Sequence, residues 1–111
     1  MIQVNINLAE ETIDDIMVTA LEGGINYWAV SAKIKNNNAK GAKYASHCVS
    51  KGGKLIIKTD EGTEHELGLK ELKKGIQLFI EDRQGIDFEN LDATDADCIV
   101  QFSIFGEIVY G

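Results

Sequence analysis

The chain has 111 residues, of which 44% are hydrophobic, 26% are charged and none is proline, and its formal net charge is −7. This length predicts a single domain over residues 1–111, because two separate cores would be too small to be stable. No apolar run reaches the roughly 18 residues of a membrane-spanning helix, and no signal peptide is visible, so we expect a cytoplasmic protein. The two cysteines are too few for a disulfide scaffold and indicate reduced thiols.

The charge is divided unevenly along the chain. Residues 1–22 carry five acids and no base, residues 33–58 carry seven lysines and no acid, and residues 60–111 carry thirteen acids against four bases. Long-range repulsion from phosphate argues against general DNA binding by such an acidic protein. A local basic site for a small anion remains open.

The first elements in chain order are a strand and a helix. Residues 2–8 alternate apolar and polar side chains, which predicts a half-buried strand. Apolar residues at helical spacing then predict a helix from Thr12 to Glu22. Thr12 with Asp15 resembles a capping box, and Gly23-Gly24 is expected to end the helix in the left-handed conformation.

The middle of the chain predicts an antiparallel meander of about four strands. The expected strands are Ile25 to Lys35, Tyr44 to Ser50, Lys54 to Asp60 and a short return at His65 to Leu67. Polar and glycine-rich stretches separate them, as is typical of turns.

Two helices close the chain. Apolar positions from Leu69 to Ile80 predict the second helix, which contains Gly75 at a cost of about 1 kcal/mol relative to alanine. Thr94 with Asp97 resembles a second capping box, and the segment Cys98 to Val109 is apolar almost all round, which is typical of a buried helix. The predicted fold is α+β, with an antiparallel sheet of four to five strands, three helices and a buried C-terminal helix.

Motifs at the two ends of the chain resemble a widespread family of small bacteriophage and mobile-element proteins. The sequence EGGINYW at Glu22–Trp28 fits the family pattern EGG-I-x-YW. The end of the chain, from Asp97 to Gly111, fits D-x-IVQ followed by FGE-x-VYG, and the segment from Leu72 to Phe79 fits the family's helix. The resemblance implies a phage or prophage protein that acts inside the host cell; the family carries no settled biochemical role.

The YW segment is the most informative candidate site. Asn26 and Trp28 would face one side of a strand and form a pocket in which Trp28 stacks on a ring, with Tyr27 facing the other side; alternatively, Trp28 is a core anchor. Gln101 needs a hydrogen-bond partner inside an apolar helix, so it either joins this site or ties the helix to the turn. We predict that the Gly23–Trp28 turn packs near Gln101 and Phe105.

Two charged surfaces are further candidates. A row of acids can imitate a nucleic-acid backbone and occupy a basic groove on another protein, whereas lysines can hold a phosphate. The acidic candidates are Asp87, Glu89 and Asp92. The basic candidates are Lys33, Lys35, Lys43, Lys54 and Lys58.

Signals for chemistry are absent from the sequence. His47, Cys48 and His65 match no zinc spacing, and the acids Asp92, Asp95 and Asp97 lack the glycine and glutamate of a calcium loop. We expect Asp95 and Asp97 to stabilise the start of the last helix. No phosphate-binding loop follows Gly52-Gly53.

Without such signals we expect no enzyme activity, metal or cofactor. Two functions remain open. One is a non-catalytic phage accessory protein that binds a host protein, such as a CRISPR nuclease or other nucleic-acid-binding defence protein, and inhibits it. The other is a binder or sponge for a nucleotide-like anion. The oligomeric state is open, with a homodimer among the possibilities.

Overall fold

The structure, a computed structural model, describes residues 9–35, 44–84 and 87–111. Within these residues the fold is α+β, with three helices and a three-stranded antiparallel sheet. The elements in chain order are α1 (Glu10–Thr19), β1 (Ala29–Ile34), β2 (Leu55–Thr59), β3 (Glu64–Leu67), α2 (Leu69–Arg83) and α3 (Ala93–Phe105). A π-helical turn, Ala20–Gly24, continues α1, and two 3₁₀ turns lie at Ala45–His47 and Phe88–Asn90.

The predicted fold class is confirmed, but four to five strands are not found. The described residues form three, and the expected strand at residues 2–8 lies outside them. The expected strand from Tyr44 to Ser50 is wrong, because this segment forms a 3₁₀ turn followed by a turn that the bond from Gly53 N to Cys48 O closes. Cys48 and Val49 are both buried, and a strand would have sent these neighbours to opposite faces.

The sheet has the order β1-β2-β3, with β2 in the centre. Leu55, Ile57 and Thr59 are buried and point to the helices, while Lys58 on the opposite face is exposed. The register pairs Lys33 with Ile56 and carries an irregularity near the start of β1. Helices therefore cover one face of the sheet. We call the other face, which no helix of the described residues covers, the open face.

The first helix begins and ends elsewhere than predicted. Ala9 is its N-cap, and Thr12 lies inside α1, so the capping box at Thr12 is wrong. Gly24 is also not a left-handed cap, because α1 widens into the π-helical turn instead of stopping. Gly24 permits close packing instead: a Cβ there would lie 2.8 Å from Ala93 O at the start of α3.

The last helix is buried as predicted but occupies a different range. Its N-cap is Asp92, whose carboxylate accepts the Asp95 N–H, while the Asp95 carboxylate accepts the Asp92 N–H. The capping box therefore lies two residues before the predicted one at Thr94. Gly106, with φ 75°, ends the helix at Phe105, so the final residues leave α3 as a separate C-terminal tail.

The core lies between the sheet and the helices, and α2 and α3 make a very close crossing within it. A Cβ on Gly75 would lie 1.9 Å from Ser103 Oγ and 2.7 Å from Ile99 O. The glycine that looked unfavourable for helix propensity is therefore required for this contact. No helix among the described residues is long and apolar enough to cross a membrane.

Candidate functional site

The motifs from the two ends of the chain meet at the buried carboxylate of Asp97. This side chain is 7% exposed and lies on α3. It accepts three hydrogen bonds: from Trp28 Nε1 at 2.8 Å, from Tyr27 Oη at 2.5 Å and from Gln101 Nε2 at 2.8 Å. Charge-assisted bonds of this kind offset the cost of burying a carboxylate.

Gln101 connects the Asp97 carboxylate to the C-terminal tail. Its Oε1 accepts the backbone N–H groups of Val109 and Tyr110, both at 2.8 Å, and its Nε2 donates to Tyr110 O at 3.0 Å. The fully buried amide therefore has its partners, and it holds the tail against α3. This explains how residues outside any helix or strand keep a defined position.

Aromatic rings complete the contact between the turn and the tail. Trp28 is 1% exposed and stacks on Tyr110, with 5.3 Å between ring centroids and 2° between ring planes. Phe105 lies 5.5 Å from Trp28, and Tyr110 Oη donates to Glu61 Oε1 at 3.0 Å. The prediction that the Gly23–Trp28 turn packs near Gln101 and Phe105 is confirmed. The burial of Trp28 favours the core-anchor interpretation over an open stacking pocket.

The turn and the C-terminal tail also carry three apolar side chains that are exposed to solvent. Tyr27 is 55% exposed, Ile108 42% and Val109 53%. Ile108 and Val109 adjoin in the chain, and Tyr27 Oη lies 3.3 Å from the backbone oxygen of the next residue, Tyr110. We call Tyr27, Ile108 and Val109 the tail platform. Asn26, also exposed, precedes Tyr27 but belongs to the wall of a separate groove.

The phenol of Tyr27 is held in its neutral form. Partial burial of the hydroxyl, followed by its hydrogen bond to Asp97 and the charge of that carboxylate, raises the pKa of Tyr27 from 10.0 to about 12. At neutral pH it is therefore a hydrogen-bond donor rather than a base. This is consistent with a group that positions the turn.

The acidic candidates lie at the entrance to α3, where two of them have local structural roles. Asp87 accepts the Glu89 N–H at 3.0 Å and Asn90 Nδ2 at 2.7 Å, and these bonds lower the pKa of Asp87. Asp92 caps α3. Glu89 is exposed. A partner that bound this segment would therefore contact carboxylates that also cap a turn and the helix α3.

The basic candidates lie on the open face of the sheet, among acids. Lys35 Nζ is 2.8 Å from Glu66 Oε1, and Lys54 Nζ is 3.9 Å from the same oxygen. Glu64 stands opposite Lys58 in the register. Lys33 is exposed on the same face, and Lys43 lies outside the described residues. This face carries mixed charge, which weakens its attraction for phosphate.

A groove beside β1, whose lining includes the polar residues Asn26, Ser31, Glu22 and Ser46 besides apolar side chains, was not predicted. Two adjoining cavities of about 240 and 230 Å³ share Leu21 and Ala45 in their walls. The first continues along Ala29 and Val30 of β1, and the second reaches Tyr44. Its walls come from the π-helical turn and the 3₁₀ turn, neither of which the sequence pattern indicated.

In the part of the chain that the structure describes, both thiols are buried and the metal-ligand residue types form no site. Burial raises the pKa of both Cys48 and Cys98, so these thiols remain protonated and unreactive at neutral pH. Among residues 9–35, 44–84 and 87–111, no group of three or more His, Cys, Asp or Glu side chains is placed to hold a metal ion.

Comparisons with known proteins give no relative: no family model, curated protein or solved structure matches the chain.

Proposed function

We propose that this chain is a non-catalytic phage accessory protein that binds a host protein through the tail platform. The observation that carries the proposal is the exposure of Tyr27, Ile108 and Val109 on a segment that Gln101 fixes in place. Rigid, exposed apolar side chains surrounded by polar residues are typical of protein interfaces, because they bury area at a small entropic cost.

The charge around the tail platform indicates the partner's chemistry. Glu107 adjoins it in the chain, Glu61 binds Tyr110 Oη, and Asp60 follows β2 beside the same turn, with its N–H bonded to Trp28 O. Together with the net charge of −7, these acids suit a partner with a basic surface that surrounds an apolar pocket. Basic grooves are found on nucleic-acid-binding proteins, so a defence nuclease of the host, such as a CRISPR effector, is the partner class we propose.

The nucleotide-sponge alternative has less support. A sponge would need the Trp28 indole for stacking, but the indole is buried against Tyr110. Of the four candidate lysines among the described residues, Lys35 and Lys54 pair with Glu66. Nucleotide binding is therefore one of the competing outcomes of the test below.

Site-specific photo-crosslinking in host cells tests the proposal. A photoreactive phenylalanine analogue would replace Ile108 on the tail platform, Glu89 in the acidic segment or Lys58 on the open sheet face. We expect one discrete crosslinked host protein from position 108 and little from 89 or 58. Stronger crosslinking at 89 would move the interface to the acidic segment. A host protein from none of the three positions, together with a nucleotide that co-purifies with the chain, would contradict the proposal and favour the sponge.

A further inference from the structure

The outer edge of β1 presents backbone groups that another strand can bind. Lys35 N donates to Lys54 O at 2.9 Å, which continues the ladder between β1 and β2. Because backbone groups alternate along an antiparallel strand, those of Lys33 also face β2, and those of Ala32 and Ile34 face outward. Within the described ranges the sheet order is β1-β2-β3, so no strand there pairs with the outer edge. Such an edge is a template for pairing with another chain.

Exposed apolar side chains gather beside this edge. The described residues carry five large hydrophobic side chains that are exposed: three form the tail platform, and the other two are Val30 and Tyr44, at 62% and 58%. Val30 lines one of the two adjoining cavities of the groove beside β1, and Tyr44 lines the other. Exposed apolar side chains that gather at one place mark a surface for another molecule, whereas single scattered ones do not.

We propose that the β1 strands of two copies of this chain pair antiparallel across a two-fold axis at Ala32. The pairing joins the two three-stranded sheets of the described residues through their β1 edges. In this register each Ala32 exchanges both backbone hydrogen bonds with Ala32 of the second copy. The exposed Val30 lies opposite Ile34 of the second copy, on the side of the sheet that carries the groove. Each copy therefore fills the groove of the other beside Val30.

Charge selects this register and favours a second copy as the occupant. On the open face, Lys33 lies opposite Ser31 of the second copy, a neutral residue. An axis at Lys33 or at Ile34 would instead place Lys33 opposite Lys33 or Lys35 of the second copy, and like charges directly opposite each other are destabilising. With its axis at Ala32, β1 is complementary to itself on both faces, apolar against apolar and lysine against serine.

The size of the contact predicts a dimer that dissociates on dilution. β1 has six residues, and the groove adds only a few more to each side. Standard stable interfaces use roughly 20 to 30 residues a side. We therefore expect monomers in dilute solution and dimers in concentrated solution.

Disulfide trapping tests the pairing and its register. In the proposed register, residues 31 and 33 of the two copies form pairs without backbone hydrogen bonds, whose Cα atoms lie about 4.5 Å apart. This separation suits a disulfide. A concentrated, mildly oxidised sample of the chain with both Ser31→Cys and Lys33→Cys should form at least about tenfold more covalent dimer than either single variant, because each single variant leaves its thiols diagonal to each other. The native Cys48 and Cys98 are buried.

Sedimentation velocity and amide exchange of the unmodified chain give the second measurement. The mass should double with concentration, and the outward amides of Ala32 and Ile34 should gain protection as it does. Val30→Lys should abolish both changes by placing a charge in the contact. The matched control Val109→Lys, which alters the tail platform, should leave both unchanged.

Four results would overturn the inference. One is a monomer at every concentration, and another is equal disulfide trapping of the double and the single variants, which indicates random collision. The third is protection of the Ala32 and Ile34 amides that dilution does not change, which would assign the edge to another part of the same chain. The fourth is a dimer that Val109→Lys abolishes and Val30→Lys does not, which would move the contact to the tail platform.

Discussion

Removing the Asp97 carboxylate should destabilise the protein by about 2–4 kcal/mol. Asp97→Ala leaves the Trp28 indole N–H and one Gln101 amide hydrogen without acceptors, both in a buried environment. Each unsatisfied buried donor costs about 1–3 kcal/mol. The second Gln101 hydrogen keeps Tyr110 O, and Tyr27 is half exposed, so their contributions are small. Relief of the buried charge offsets part of the loss.

Asp97→Asn is the matched comparison. An amide oxygen at the Oδ1 position still accepts from both Trp28 and Gln101. The amide nitrogen at the Oδ2 position cannot accept the O–H of Tyr27, which also lies 3.3 Å from Tyr110 O. The loss of this part-exposed bond together with the charge assistance should cost about 1–2 kcal/mol. Urea unfolding followed by fluorescence measures both values, because Trp28 is the only tryptophan in the chain. Asp15→Ala, at an exposed position in α1, controls for loss of negative charge. A cost below about 1 kcal/mol for Asp97→Ala, or a larger cost for the asparagine variant, would show that the Asp97 carboxylate does not stabilise this contact.

Three further predictions concern the core and its titrating groups. Gly75→Ala should destabilise the protein by about 1–3 kcal/mol from overpacking despite alanine's higher helix propensity, and Ser103→Gly in the same chain should recover part of the loss in thermal unfolding. Tyr27, followed by NMR of labelled tyrosine, should titrate near pH 12, and Asp97→Asn should lower the midpoint of this titration. Since folding raises the pKa of Tyr27, the contribution of Tyr27 to stability is complete below about pH 10 and is lost as the pH rises through 12. Cys98 should react with a thiol reagent only at the rate of unfolding, since burial raises its pKa; a fast reaction in the native state would contradict this.

Sequence periodicity predicted the presence of the three helices but not the ends of the first and last. The contact between the Gly23–Trp28 turn and the C-terminal helix was predicted from the glycine, aromatic and amide groups of both segments. Apolar spacing predicts all three helices, and a polar Gln101 inside an apolar helix requires a buried partner. The role of the Asp97 carboxylate as the shared acceptor in that contact was not predicted. Asp95 and Asp97 were expected to stabilise the helix start; Asp95 does so together with Asp92, whereas Asp97 accepts bonds from the turn. The spacing of four residues between Asp97 and Gln101 was the available signal, because it places both side chains on one helix face.

One remaining error concerns a local helix-stop signal, and the other concerns tertiary packing. Gly106 was included in the last helix because apolar residues continue to Val109, but its left-handed conformation releases the tail. The segment from Tyr44 to Ser50 has strand-like composition, yet Cys48 and Val49 are both buried through a turn. Strand propensity is a weak guide where tertiary packing buries individual side chains of a turn.

The most direct test of the central claim is the dissociation constant of the crosslinked host partner for two variants of equal stability. One carries Ile108→Lys and Val109→Lys on the tail platform; the other carries Asp87→Asn, Glu89→Gln and Asp92→Asn, with amides that preserve capping. We expect the first variant to bind at least about tenfold more weakly, or about 1.4 kcal/mol, and the dissociation constant of the second to change by less than about threefold, or about 0.6 kcal/mol. Unchanged binding by the tail variant, with loss of binding in the acidic-segment variant, would contradict it.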